Sequence, residues 1–270
     1  FLVNAKDRGY KYFENSESLF DNTTETLTSF FNLKNVSLEQ VNKPFPAIMK
    51  SKYNPPLIYL LDQLEYGFKW TGNMYAYCPT YNLNYCLDNS QSSFIDFYLY
   101  INFLKQSPFT QIFTKVAVFF GWDFNKHVIY KLHNGMGRLA KYLTLHPEMK
   151  EKPNFYFIHH TSPHYPYVTN KDCSFSFTPG KADLVGYEKA YMCDLKRINE
   201  TISFLEKFDP DSFVIFQADH NWKLSENHEE VSRRIFNLIK YNKECPFDKK
   251  IKYHHLNTLE WIFSCITNNE

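Results

Sequence analysis

Two short apolar runs, each ending in side chains that can bind a metal, constrain this chain more than any other feature. Phe155 to Ile158 reads as a strand and runs directly into His159-His160-Thr161-Ser162-Pro163-His164-Tyr165-Pro166-Tyr167. Phe213 to Ala218 reads as a second strand and runs directly into Asp219-His220. In an open α/β sheet, ligands occupy the crevice beyond the carboxyl ends of the strands. Strand ends that deliver imidazole, and in one case carboxylate, predict a shared site suited to a metal ion and an anionic substrate.

The remaining pattern alternates helix and strand. A short helix over Phe1–Arg8 leads to a strand start at Gly9-Tyr10. The Thr/Ser-rich stretch Asn22–Asn32 suits a helix N-terminus, where hydroxyls satisfy unpaired backbone N–H groups. Asn54-Pro55-Pro56 opens a helix to about Glu65, with Leu57, Leu60, Leu61 and Leu64 on one face, and Phe68–Trp70 starts a strand. Residues 73–90 read as a loop, and Ser92–Leu104 and residues 126–146 as helices. Thr161–Lys181 reads as a long polar and aromatic loop of the kind that carries function.

Tyr187–Phe208 is the clearest helix. Tyr191, Leu195, Ile198, Ile202 and Leu205 recur at spacings of four and three, and Asp209-Pro210 stops it. Glu226–Ile239 and Leu256–Cys265 read as closing helices. This alternation predicts an α/β fold with a largely parallel, mixed central sheet and helices on both faces. The 270 residues suffice for one domain, residues 1–270, with no visible repeat or linker.

A formal net charge of +1 excludes the basic excess of a sequence-independent nucleic-acid binder, so no nucleic-acid partner is expected. No apolar run approaches the roughly 18 residues of a membrane span. The chain opens at Phe1 without a methionine, so it reads as a fragment in which an absent signal or anchor says little. The six cysteines, with no Cys-x-x-Cys pair, argue against a zinc ribbon. Cys78 and Cys86 can close a short loop and Cys245 and Cys265 a longer one, so disulfides are expected in an oxidising compartment.

Carboxylate and imidazole at Asp219-His220 suit a cation such as Zn²⁺ or Mn²⁺. His159 and His164 flank a proline-fixed turn that aims their side chains. Thr23, Thr24, Thr26, Thr28 and Ser29 form a hydroxyl cluster. A threonine hydroxyl becomes a nucleophile when a metal or base takes its proton, and a helix N-terminus is also where anions bind. The bland alternative for that cluster is simple capping. Arg233-Arg234 would serve as an anion clamp if it faced the site. His254-His255 could bind a metal but reads rather as a surface pair, and Lys249-Lys250-Ile251-Lys252 as a solvated face. No Gly-rich phosphate loop and no Gly-x-Ser-x-Gly elbow is present.

Three of these segments together resemble the sulfatase-like branch of the alkaline phosphatase superfamily, as found in membrane-anchored lipoteichoic acid synthases and phosphoethanolamine transferases of bacteria. The first runs from Phe1-Leu2 through Gly9-Tyr10 and Ser16 to Asn22-Thr23-Thr24-Glu25-Thr26-Leu27-Thr28-Ser29-Phe30-Phe31-Asn32. The second is His159-x-x-x-Pro163-His164-x-Pro166-Tyr167. The third leads from Tyr187 to Phe216-Gln217-Ala218-Asp219-His220. Residues 33–150 match only in rhythm.

The resemblance implies Thr23 as nucleophile and metal-contacting hydroxyl, with Thr26 the next candidate. It implies Asp219 and His220 as ligands of a divalent ion (Mn, Zn, Mg or Ca), His164 on the substrate's anionic group, and His159 supporting it. The family carries an acidic ligand on a strand upstream of this first stretch, so the resemblance implies either an N-terminally incomplete chain, with that ligand and a membrane anchor outside it, or a protein that never had the ligand. Asn221 stands where the family has glycine. Cys78-Pro79-Thr80 does not fit the Cys/Ser-x-Pro-x-Arg motif of true sulfatases. The implied activity is therefore hydrolysis or transfer of phosphate esters of cell-envelope lipids or glycans, at the periplasmic face of the inner membrane. A non-catalytic glycan- or partner-binding relative and a true sulfuric ester hydrolase are the alternatives.

Overall fold

The structure is a computed structural model that describes residues 2–36, 55–71, 86–87, 116, 134–165, 167–180, 184–221, 233–240, 245 and 254–267. The chain divides into two compact units, Phe1–Glu65 with Leu205–Glu270, and Tyr66–Phe204.

The first unit is built on a sheet of β1 (Tyr10–Tyr12), β6 (Val214–Gln217) and β7 (Asn237–Lys240), with β7 in the middle and antiparallel to both neighbours. β1 pairs Tyr12 with Leu238, and β6 pairs Gln217 with Asn237. Asn237, Leu238 and Ile239 are all buried, because neighbours cover both edges and both faces of this strand. A helix over Glu226–Ile239 is therefore not what the chain forms at its described end. Ile235-Phe236-Asn237-Leu238-Ile239 is a short buried apolar run, which periodicity cannot separate from a helical segment. Glu17 bridges to Arg234 and the Ser18 amide donates to Arg233 O, which carries the ladder on toward Ser18.

Helix α1 (Leu2–Asp7) precedes β1, and α2 (Thr23–Asn32) packs against α3 (Pro56–Gln63) and α6 (His255–Thr267). Leu27, Phe30 and Phe31 form the buried face of α2. On α3 the buried residues are Leu57, Ile58 and Leu61. Phe13, Ile239, Trp261, Ile262 and Cys265 form a core cluster beneath α6, and Cys245 is disulfide-bonded to Cys265 with their Cα atoms 5.6 Å apart. Arg8 grips Glu206 with two hydrogen bonds, 2.7 Å from Nε and 2.5 Å from a terminal nitrogen.

The second unit holds the parallel pair β2 (Gly67–Thr71) and β3 (Asn154–Ile158), in register from Gly67–Asn154 to Thr71–Ile158. Stacked rings, Phe68 on Phe155 and Trp70 on Phe157, reinforce the pairing. Helix α4 (Gly135–Leu145) lies against both strands. Its first residue must be small: a Cβ on Gly135 would sit 3.1 Å from Ile158 Cγ2 and close to the His159–His160 backbone.

The stretch expected as a long loop is largely a hairpin, β4 (Tyr167–Thr169) and β5 (Phe175–Gly180), turning through Asn170–Ser174. The Phe175-Ser176-Phe177 alternation after an Asn-Lys-Asp turn is the signal that reading as a loop passes over. Cys173, at φ 69°, is disulfide-bonded to Cys193 on α5 (Leu184–Phe208), with their Cα atoms 4.9 Å apart. Cys86 is also disulfide-bonded. Buried residues on α5 are Gly186, Ala190, Cys193, Asp194, Arg197, Ile198, Thr201 and Ile202, a face turned from the one the Tyr191–Leu205 spacing suggests. The expected helix Ser92–Leu104, Cys78 and Lys249–Lys252 lie outside the described residues.

Candidate functional site

Thr23 is the first residue of α2. The side chain of Asn22, not a hydroxyl, caps that helix by accepting the Glu25 amide at 2.9 Å. The cap leaves the Thr23 side chain free to face the end of β6. There Thr23 Oγ1 lies 2.5 Å from Asp219 Oδ2 and 3.2 Å from His220 Nε2, and Asp219 Oδ2 is 3.7 Å from His220 Nε2. The His220 and Asp219 side chains are 22% and 28% exposed, open enough for a ligand to reach.

Local bonds fix both acceptors. Asp219 Oδ1 accepts the His220 amide at 3.0 Å, which turns Oδ2 toward Thr23. His220 Nδ1 lies 2.8 Å from Asn221 O, an atom that only accepts, so Nδ1 carries the proton and Nε2 presents its lone pair. Asn221 thus orients the imidazole through its main chain. One hydroxyl proton now faces two acceptors, a carboxylate oxygen and an imidazole nitrogen.

This donor set fits a divalent cation. Ligands about 2.1 Å from a tetrahedral ion are about 3.4 Å from one another. The 3.2 and 3.7 Å edges bracket that value, and the Thr23–Asp219 edge would open from its hydrogen-bonded 2.5 Å. The Nδ1–H bond to a carbonyl is also the usual outer contact of a metal-binding histidine. Among the described residues no group of three or more His, Cys, Asp and Glu side chains forms a metal cluster, so a cation at this point would need the threonine hydroxyl as its third protein donor.

Beneath Asp219 lies a second tier that the sequence did not disclose. Ser18 Oγ and Thr26 Oγ1 both donate to Asp219 O, the latter at 3.2 Å, and both residues are buried. Thr26, the next candidate for nucleophile, therefore has its hydroxyl on the main chain of Asp219. His255 Nε2 donates to Ala218 O at 2.9 Å. His255 is buried rather than part of a surface pair, because the first turn of α6 turns it inward beside Leu256. Burial pushes its pKa down to about 4, against smaller opposing effects of the Ala218 bond and Asp219, so it is neutral at ordinary pH. Ser16, fully buried, takes a hydrogen bond from Asn237 Nδ2 at 2.9 Å and anchors the segment that delivers Ser18. Arg233 and Arg234 are exposed.

His159 and His164 belong to the second unit. The His159 amide donates to Thr71 O at 2.8 Å, which places His159 at the carboxyl end of the parallel pair, as expected. His164 is exposed, with Nδ1 2.5 Å from Tyr165 O. The histidine that sequence reading passed over is His160. Its Nε2 lies 3.0 Å from Asp194 Oδ1, and Arg197 approaches the same oxygen at 3.6 Å. The signal was present: Asp194 and Arg197 interrupt the apolar face of α5, and charges there are buried only when paired.

No family model and no curated protein matches the chain. Solved structures do match, among them these two. One is Ps i-CgsB in complex with k-i-k-neocarrahexaose, at a TM-score of 0.58 and 13% identity, covering 98% of this chain and 66% of that one. The other is Ps i-CgsB alone, at 0.56 and 14%, covering 94% and 64%. The chain therefore spans just under two thirds of the length of these neighbours. They show the fold: α/β with a mixed sheet, of the sulfatase-like type.

Proposed function

We propose that this protein is a metal-dependent hydrolase or transferase that acts on phosphate esters of cell-envelope glycans or lipids through Thr23. The observation that carries the reading is the convergence of Thr23 Oγ1, Asp219 Oδ2 and His220 Nε2 within 3.7 Å at a strand's carboxyl end. Asp219, His220 and Thr23 would hold the divalent cation, which when bound lowers the hydroxyl's pKa and neutralises ester charge. With the cation held, the Thr23 proton, bonded to Asp219 Oδ2 at 2.5 Å in its absence, is lost to water; Thr23 attacks the phosphorus, the P–O bond to the ester alcohol breaks, and the alcohol leaves with a proton from water. The N-terminus of α2 favours the anionic group next to Thr23. Water or an acceptor alcohol then releases the product.

On this reading the protein works at the periplasmic face of the inner membrane. The Cys173–Cys193 and Cys245–Cys265 disulfides support an oxidising compartment. Among the described residues no helix is long and apolar enough to cross a membrane.

A second reading, a sulfate ester of a glycan, draws support from the neighbour solved with neocarrahexaose. Release of p-nitrophenol from its phosphate and sulfate esters, with Mn²⁺ supplied, tests both. Phosphate turnover lost in Thr23→Ala supports the first reading, and sulfate turnover alone supports the second. Equal turnover of wild type and Thr23→Ala overturns the role of Thr23.

A further inference from the structure

The loop carrying Asp219 and His220 is held by its main chain, from two sides. Ser18 and Thr26 donate to Asp219 O, and His255 donates to the preceding carbonyl, Ala218 O. The Ala218 amide is itself bonded to Phe236 O on the β7 side at 2.9 Å. The peptide on which Asp219 pivots thus has its amide fixed by the sheet and its carbonyls fixed by side chains from α6, α2 and the Ser16–Ser18 segment. His255 is the longest of these clamps, reaching over from a separate helix, and it is buried with Nδ1 lacking a hydrogen-bond partner. A leucine would fill that volume without an orphaned nitrogen, so an imidazole here is explained by the bond its other nitrogen makes.

We propose that His255 is a positioning residue: by binding Ala218 O it sets the orientation of Asp219 and His220, and through them the geometry offered to a cation and to Thr23. The proposal deepens the reading of that cluster as the working site and rests on it. His255 touches neither substrate nor cation. Its contribution is to keep Asp219 Oδ2 and His220 Nε2 converged on one point.

The test compares His255→Gln, whose amide can still donate at similar reach, with His255→Met, of similar length but no donor. The full chain is titrated with Mn²⁺ by calorimetry, and His220 ring nitrogen shifts are read by NMR without metal. The expected result is Mn²⁺ affinity lowered on the order of tenfold in His255→Met and restored toward wild type in His255→Gln. In parallel, the Nδ1–H form of His220 is kept by Gln and lost or mixed in Met. Equal affinity and equal shifts in wild type and His255→Met overturn the proposal. If wild type takes up no Mn²⁺, the reading of the cluster as a cation site fails, and the metal-free NMR comparison still decides the role of His255. Should the Met variant not fold, the Gln variant decides alone: wild-type shifts support the clamp, and displaced shifts overturn it.

Discussion

Thr23 and Asp219, 196 residues apart in sequence, meet with Oγ1 and Oδ2 at 2.5 Å. In the proposed reaction that proton is lost to water, with the cation held, before Thr23 attacks. If Thr23 is the nucleophile, Thr23→Ala lowers turnover of a chromogenic phosphate ester on the order of a thousandfold or more, while Thr23→Ser keeps part of it. Steady-state kinetics on the three proteins checks this, with circular dichroism confirming equal folding.

Asp219→Asn keeps the shape of the side chain and removes its charge. Its oxygen at the Oδ1 position can still accept the His220 amide, so the melting temperature should hold. Mn²⁺ affinity should fall at least about tenfold, as measured by titration calorimetry.

Asn22 holds the first turn of α2 in place under Thr23. Asn22→Ala should cost about 1 kcal/mol, read as a lowered denaturation midpoint. Because the lost cap frays the turn that begins with Thr23, turnover should drop as well.

The Cys173–Cys193 disulfide ties the β4–β5 turn to α5 over a sequence separation of 20 residues. Replacing both cysteines by serine should destabilise the protein by about 3 kcal/mol, measured in urea. Asp194, the partner of His160, directly follows Cys193, so the His160 ring signals should shift in the same variant.

Burial raises the Tyr10 phenol far above its usual pKa, with Glu206 adding to the effect and Arg8 opposing it. Tyr187 is pushed up to about 12, also chiefly by burial. A pKa raised in the folded state means that the unfolded chain loses its proton first. The stability contribution is therefore complete below about pH 10 and is lost as pH rises further. Tyr10→Phe removes a buried hydroxyl that has no hydrogen-bond partner. It should leave stability at about pH 8 unchanged or slightly higher and reduce the loss at about pH 11, as read from urea midpoints.

Much of this was legible in the chain. Asp219-His220 and His159 lie at strand ends because each follows a short apolar run, and Thr23 starts a helix because Asn22 caps it. What could not be read were contacts between distant segments. Nothing near Ser18, Thr26 or His255 announces that their donors converge on two adjacent carbonyls. Strand β7 reads as helix in the sequence because a fully covered strand shows no alternation. His160 does not stand out from its neighbour in the sequence because its partner, Asp194, is supplied by a helix far along the chain.

The central claim is that the Thr23 hydroxyl, poised on Asp219 and His220, takes the transferred group. Acid-quenching the full chain during turnover of p-nitrophenyl phosphate with Mn²⁺, then mapping peptides by high-resolution mass spectrometry, tests it most directly. The account predicts one phosphoryl group on the peptide containing Thr23, localised to that residue and absent from Asp219→Asn. Turnover that leaves Thr23 unmodified at every quench time, and that persists in Thr23→Ala, would contradict it.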